Sequence, residues 1–450
     1  MKKKQKSDEI SNKTKIQTNR NEKQEKRWFQ EAKGKPFVYK PAKDGQNAIF
    51  YKKYEKDKIL EEIKSKREKT QKKHNKEIEQ FVKEQKEKRK LKKETRKILK
   101  SDISTLHYPK KLKQFHQNPH LPPVPQYYTG TCWSFASTSF FESEIQRLSQ
   151  KQIKLSEMWP VYWEYVEKAR RFIKMKGFSY VSQGDEPNAL LNVYKQYGAV
   201  PYQAYKGVTT PGEKYDHTPM VNELKTFLNF IKANNLWDEK ANLIMVKAIL
   251  NKYMGEPPRK FVWKEKEYTP EQFLKQVTGL KMDDYVATMS TLSHPYFTRG
   301  LLDVPDNWWR SEDYLNLPLE LWTKLLRDGV EKGYGFVIGG DVSEPGKIPE
   351  KDIIFVPSFD LPVGLINKHS REFRISNKTT TDDHGVHLTG HYFDKSNNKY
   401  WYLIKDSGRS SRYGNFKGYY FMSEDYLKLK ILNWMAHKDV ISSIANRIGK

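Results

Sequence analysis

From Cys132 onward, apolar residues fall at Trp133, Ala136, Phe140, Phe141, Ile145 and Leu148. Their steps of three, four and one predict a helix with one buried face. Leu155-Ser156-Glu157-Met158 opens a second helix through Trp163, Tyr165, Val166 and Ala169, and a third runs from Ala189 to Tyr197 and is closed by Gly198. Further helices are predicted over 222–234 and 238–253, with Thr269-Pro270 as a capped helix start. From Tyr334 the period changes to that of strands: 335–340, 353–357, 387–393, 400–405 and 418–422. A helical first half followed by a strand-rich second half is an α+β pattern, with a cleft expected between the two.

The amino-terminal hundred residues follow neither pattern. Residues 1–50 are polar and Lys/Asn/Gln-rich and read as an extended or disordered arm. Residues 51–105 are mostly Lys, Glu, Arg and Gln, with pairs such as Glu62–Lys66 and Glu84–Lys88 at the spacing of a solvated helix. The expected organisation is therefore an arm over 1–50, a helical extension over 51–105 and a helical lobe over 106–205. A mainly helical insertion follows over 206–330, then a β-rich lobe over 331–432 and a tail over 433–450.

Charge sharpens this division. Of the net charge of +27, residues 1–100 hold +19, with 35 Lys+Arg against 16 Asp+Glu, leaving +8 for the other 350 residues. The extension could thus bind nucleic acid or an anionic surface by counterion release, or be a solvated helix. Aromatic residues make up 13% of the chain, as expected of a packed globule. The single cysteine excludes an intrachain disulfide, and no apolar run reaches the roughly 18 residues of a membrane span. The basic start is followed by no apolar core of a signal peptide, so the expected location is cytoplasmic, with an exported form as the alternative if the true start lies upstream or a signal peptide was removed.

A lone cysteine is ordinarily an inert core residue. Cys132 differs in its setting. Thr129, Gly130 and Thr131 form a turn before it, which places it in the first turn of a buried helix. Free N–H groups and the positive end of the helix dipole stabilise a thiolate there. A thiol nucleophile also needs a base and a group that orients the base. His384 in Asp382-Asp383-His384-Gly385 is the candidate base, and Asp406, at the end of an apolar strand 22 residues later, is the candidate orienter. A metal site built from His384, His387 and His391 is the rival. Strand parity sends His387 and His391 to one face and His384 to the other, so no metal and no cofactor is expected.

Gln126 with Thr129-Gly-Thr-Cys-Trp-Ser-Phe-Ala resembles the oxyanion glutamine and nucleophile motif of the papain family. Leu155-Ser156-Glu157, Gly184 and Asp383-His384-Gly-Val are similar to further segments of that family. The interval of 252 residues between Cys132 and His384 is longer than the ~130–150 typical of papain-like enzymes. Gly255-Glu-Pro-Pro, Asp283-Asp-Tyr-Val, Tyr314-Leu-Asn and Gly340-Asp341-Val342 within it resemble the insertion of the bleomycin hydrolase/aminopeptidase C branch.

The resemblance, covering roughly 115–432, implies a two-lobed papain-like fold and a cysteine peptidase that cleaves peptides, leaning to aminopeptidase action. It makes Cys132 the nucleophile, His384 the base, Asp406 the orienter and Gln126 an oxyanion donor. Gly184 falls where the substrate backbone lies, and the homo-oligomer common in that branch is open here. Two departures stand out. Where relatives have Asn-Ser-Trp-Gly, this chain has Asp406-Ser407-Gly408, which lacks the shielding Trp. Water is then expected to reach the His384–Asp406 pair, so that Asp406→Asn is tolerated. The carboxy-terminal arm of that branch is also not recognisable in 431–450. Two alternatives are a transglutaminase-like acyl transferase, against which Gln126 and Leu155-Ser156-Glu157 argue, and an inactive peptidase fold whose basic arm binds a partner.

Overall fold

The computed structural model describes residues 54–97 and 100–449, so the arm expected over 1–50 lies outside the described residues. The chain divides into two units, Met1–Ile98 and Leu99–Lys450. In the first, the helix Lys58–Glu94 starts at Asp57, whose carboxylate accepts from Ile59 N at 2.8 Å. No residue of this helix is buried. Its sparse apolar positions never form a stripe, so it has no face to pack. No helix among the described residues is long and apolar enough to cross a membrane.

The second unit is built on a mixed sheet whose strands run, in spatial order, Arg299–Gly300, Tyr314–Asn316, Tyr285–Met289, Ile431–His437, Phe336–Gly340, His384–Asp394, Lys399–Lys405, Tyr419–Ser423, Ile353–Ile354 and Lys347–Ile348. The short strand His116–Gln117 also pairs with His384–Asp394. On one side the helix Leu319–Glu331 buries Trp322, Leu325, Leu326 and Val330 in a core shared with Phe336, Ile338 and Trp434. A larger core gathers the helices Cys132–Ser149, Met158–Lys174, Ala189–Tyr197, Thr218–Ala233 and Glu239–Met254. These helices form where the 3.6-residue period predicts them. Asp238 caps the last of them by accepting from Ala241 N at 2.8 Å, and Thr269 caps Pro270–Phe273 within a capping box.

Three expected boundaries shift. The β-rich part begins at Tyr285–Met289, inside the stretch assigned to the helical insertion over 206–330. Residues assigned to a tail from 433 lie in Ile431–His437, a strand at the middle of the sheet. Every residue of both strands is buried, so neither shows the alternation of a half-exposed strand. Third, residues 101–105 belong to the second unit: Ser101 Oγ donates to Pro345 O at 3.1 Å, and Ile103 packs on a cluster of Phe115, Trp401 and Phe421.

Removing residues 1–98 is therefore expected to leave the melting temperature within about 2 °C. Extending the deletion through Tyr108 strips Ile103, Leu106 and Tyr108 from that cluster and is expected to cost about 2–4 kcal/mol. Thermal melts of the two truncations compare them directly.

Gly340 sits between two strands, paired with His384 on one side and Ile431 on the other. A Cβ there would meet Lys430 O at 2.6 Å and Ile431 Cα at 2.7 Å, both backbone atoms. Gly340→Ala is expected to force the strands apart beside His384, at a cost of about 1–3 kcal/mol in a denaturant melt.

Candidate active site

Cys132 is the first residue of the helix Cys132–Ser149, behind Thr131, and is partly exposed. The amides of a first helical turn lack intrahelical acceptors, so they are free to face a developing negative charge. From Trp133 to Ile145 the helix is buried, and two of its serines are satisfied by neighbouring carbonyls. Ser134 Oγ donates to Glu157 O at 2.6 Å and Ser137 Oγ to Pro187 O at 2.9 Å. Trp133 Nε1 donates to Gln183 O at 3.0 Å and Gly130 N to Gln183 Oε1 at 2.9 Å, fixing the turn before the cysteine.

The sheet approaches this helix at Gly385, where a Cβ would lie 3.3 Å from Trp133 Cα. That close approach brings His384, the first residue of its strand, against Cys132. His384 Nε2 is 2.7 Å from Asp406 Oδ1, which leaves Nδ1 for the thiol. Burial disfavours the charged imidazole, but the Asp406 carboxylate and then Cys132 outweigh it and raise His384 to about 10. Burial would likewise raise Asp406, yet the charge and hydrogen bond of His384, followed by Lys347, hold it well below the usual carboxylate range. Lys347 Nζ stands 3.9 Å from Asp406 Oδ2.

The expectation of a water-screened pair is corrected. Asp406 is fully buried and the His384 side chain only 13% exposed. Gly408 covers the pair with its own backbone. Its N–H donates to Asp406 Oδ1 at 2.7 Å, and a Cβ there would lie 3.2 Å from His384 Nε2. A cavity of about 530 Å³ opens beside His384, lined by Gln126, Tyr127, Lys347, Asp383, Gly408 and Arg409 among others.

Gln126 is buried. Its Nε2 donates to Thr129 O at 2.7 Å, its Oε1 accepts from Ser407 Oγ at 2.7 Å, and its backbone N donates to Ser407 O at 3.1 Å. A carboxamide has two N–H donors, so one remains. The other histidines lie apart: His387 is buried with Nδ1 2.8 Å from Ser139 Oγ, and His391 faces His116. Asp383 accepts from Val342 N at 2.8 Å and Asp382 from Asp306 N at 2.9 Å. The carbonyl of Gly184 accepts from Lys168 Nζ, and the carboxylate of Asp306 lies over its Cα.

Two features escaped the sequence. Lys347 had no motif to mark it, because it reaches Asp406 from a separate hairpin. Behind Asp406, Lys405, Lys154, Glu142 and Glu157 line a small enclosed cavity. There Lys154 Nζ donates to Glu142 Oε1 at 2.8 Å, burial lowers Lys405 to about 8, and burial raises Glu142 against the opposing charge of Lys154. No alternation marked Lys405: residues 400–404 are all aromatic or aliphatic and the strand is buried from Trp401 onward, so the sequence does not say which way it faces.

None of the curated proteins compared matches the chain. Among solved structures, PepW from Lactobacillus rhamnosis is 18% identical, with a TM-score of 0.56, over 74% of this chain and 85% of that one. It shares the fold. A structure from work on the mite allergens Blo t 1 and Der p 1 is 13% identical over 75% of this chain and 74% of its own, with a TM-score of 0.35. The model of the Peptidase C1-like family matches residues 181–447, more than half of the chain, and takes in His384 and Asp406 but not Cys132. On that match, the chain belongs to the Peptidase C1-like family.

Proposed function

We propose that the protein is a cysteine peptidase that hydrolyses peptide bonds through a thioester acyl-enzyme and acts at free amino termini. The observation that carries the peptidase part is the line from the helix start at Cys132 through His384 to Asp406, with Nε2 2.7 Å from the buried carboxylate, while action at free amino termini follows the resemblance to the bleomycin hydrolase/aminopeptidase C branch. A raised His384 keeps the imidazolium available at neutral pH as the partner of a thiolate.

The Cys132 sulfur attacks the scissile carbonyl carbon, and the carbonyl π pair moves onto oxygen. The Cys132 N–H and the remaining Gln126 N–H face that oxyanion. His384 gives its Nδ1 proton to the leaving nitrogen, the C–N bond breaks, and an amine departs from the thioester. Neutral His384 then takes a proton from water. The hydroxide attacks the thioester, sulfur leaves as thiolate, and the acid product is released with His384 protonated again. Asp406 holds the ring through Nε2 and stabilises its charge at both protonated stages.

Hydrolysis of aminoacyl- and peptidyl-aminocoumarin substrates, with and without prior alkylation by iodoacetamide, tests the reading. Cleavage abolished by alkylation is expected; cleavage that survives complete alkylation contradicts it.

A further inference from the structure

The loop over 303–310 lines a cavity with Arg171, Tyr180 and Asp382 and reaches the segments that flank Cys132 and His384. Gln183, whose backbone and side chain hold Trp133 and Gly130, leads directly to Gly184. A Cβ on Gly184 would come within 2.7 Å of Asp306 Oδ1 and Cγ, so the carboxylate rests on the glycine. Asp306 N donates to Asp382 Oδ2 at 2.9 Å, and Asp382 stands two residues before His384. The loop thus touches both Gly184 and the segment that leads into His384.

It is held firmly in place. Trp309 Nε1 donates to Glu164 Oε2 at 3.1 Å, and the Arg171 guanidinium lies 5.3 Å from the Trp308 ring and donates to the Trp308 carbonyl. Asn307 is buried and ties the loop to itself through Leu302 O and Ser311 O at 2.9 and 3.0 Å. A substrate chain running over Gly184 would meet a fixed carboxylate.

That carboxylate lacks a partner of its own. Among the described residues no group donates a hydrogen bond to it, while Lys168, the nearby cation, is engaged with Gly184 O and with Asp185 at 3.3 Å. Burial, then the charge of Asp382, raise Asp306 to about 6, with Lys168 opposing and Asp185 adding to the rise. Buried Glu164 and Glu186 add no positive charge. A desolvated carboxylate among like charges is stabilised by a cation brought to it. A peptide entering from the Cys132 side carries one such group at its amino end.

We propose that the 303–310 loop closes the amino-terminal side of the substrate groove and that the Asp306 carboxylate receives the α-ammonium of the substrate. Asp306 is then the residue that restricts cleavage to peptides with a free amino terminus. The assignment rests on the peptidase reading above. Truncating one partner of a desolvated charge pair weakens binding strongly, whereas the reacting groups at Cys132 are untouched.

The test compares an aminoacyl-aminocoumarin with its N-acetylated twin, using the full chain and its Asp306→Asn and Asp306→Ala variants. Circular dichroism and a thermal melt serve as the check that each variant is folded. Wild type is expected to favour the free amine by about a hundredfold or more in kcat/KM. Asp306→Asn is expected to raise KM for the free amine at least about tenfold with little change in kcat, and to shrink the preference. A merely structural role would lower both substrates together. A preference unchanged in both variants overturns the role of Asp306 and leaves the peptidase reading standing; equal cleavage of both substrates by wild type overturns that role and the restriction to free amino termini, and leaves thiol-dependent peptide hydrolysis standing. Cleavage of neither substrate by wild type overturns the peptidase reading and this assignment with it.

Discussion

His384→Ala is expected to lower kcat/KM for peptide hydrolysis by about 10⁴-fold, ~5.5 kcal/mol of barrier. In the proposed mechanism the imidazole has two tasks that no neighbour can take over. Its Nδ1 faces the thiol, and its proton is the one available to the leaving nitrogen. Asp383 and Asp382 are engaged with Val342 N and Asp306 N, and His387 is bonded to Ser139, so none replaces it. The same substitution removes the positive partner of the sulfur, so alkylation of Cys132 by iodoacetamide should slow by about ten- to a hundredfold at neutral pH. Stopped assays of both rates, with circular dichroism to verify folding, check the expectation. Unchanged alkylation and hydrolysis would mean that His384 does not act on Cys132.

Asp406 gives the second large effect. A pair open to water would let an amide replace the carboxylate with little loss. The Asp406 carboxylate is buried, so its charge counts. Asp406→Asn keeps an oxygen that accepts from Nε2 but removes the leading contribution that raises His384 to about 10. The imidazolium should then lose its proton earlier, moving the alkaline limb of the pH–rate profile down by about one to three units. Activity at neutral pH should fall by about ten- to a hundredfold, ~1.4–2.8 kcal/mol. Asp406→Ala also loses the acceptor and should fall further, with folding destabilised by about 3–5 kcal/mol as a buried pair is broken.

The pH dependence of wild-type stability follows from the same two groups. His384 is raised, so its contribution is complete below its unfolded value near 6.5 and is lost as pH rises through about 10. Asp406 is depressed, so its contribution is complete above its unfolded value near 3.8 and is lost as pH falls below it. An alkaline limb that does not move in Asp406→Asn would contradict the assignment.

What could be read from the sequence was local. The stripe from Trp133 to Ile145 marks the helix Cys132–Ser149, although that stretch is buried on every side, because small or polar residues separate its large apolar ones, and Gly198 ends the helix Ala189–Tyr197 where a positive φ of 67° is needed. His384 and Asp406 lie on strands that pair with each other, Lys399–Lys405 against His384–Asp394, so a separation of 22 residues was informative. Tyr285–Met289 and Ile431–His437 were not legible as strands, because burial on both faces erases the period of two. The covering of Asp406 was misjudged for a related reason. Gly408 has no side chain to announce a contact, yet its backbone makes one at 2.7 Å. Lys347 and Asp306 reach the groove from distant hairpins and loops, and nothing along the chain indicates where such segments meet.

The central claim is that the one thiol of the chain is the nucleophile. Because Cys132 is the only cysteine, the number of iodoacetamide adducts per chain, read by intact mass, can be plotted directly against residual hydrolysis of an aminoacyl-aminocoumarin. The account predicts a straight line that reaches zero activity at one adduct per chain. A fully alkylated protein that still hydrolyses the substrate, or a Cys132→Ala variant as active as wild type, would contradict it.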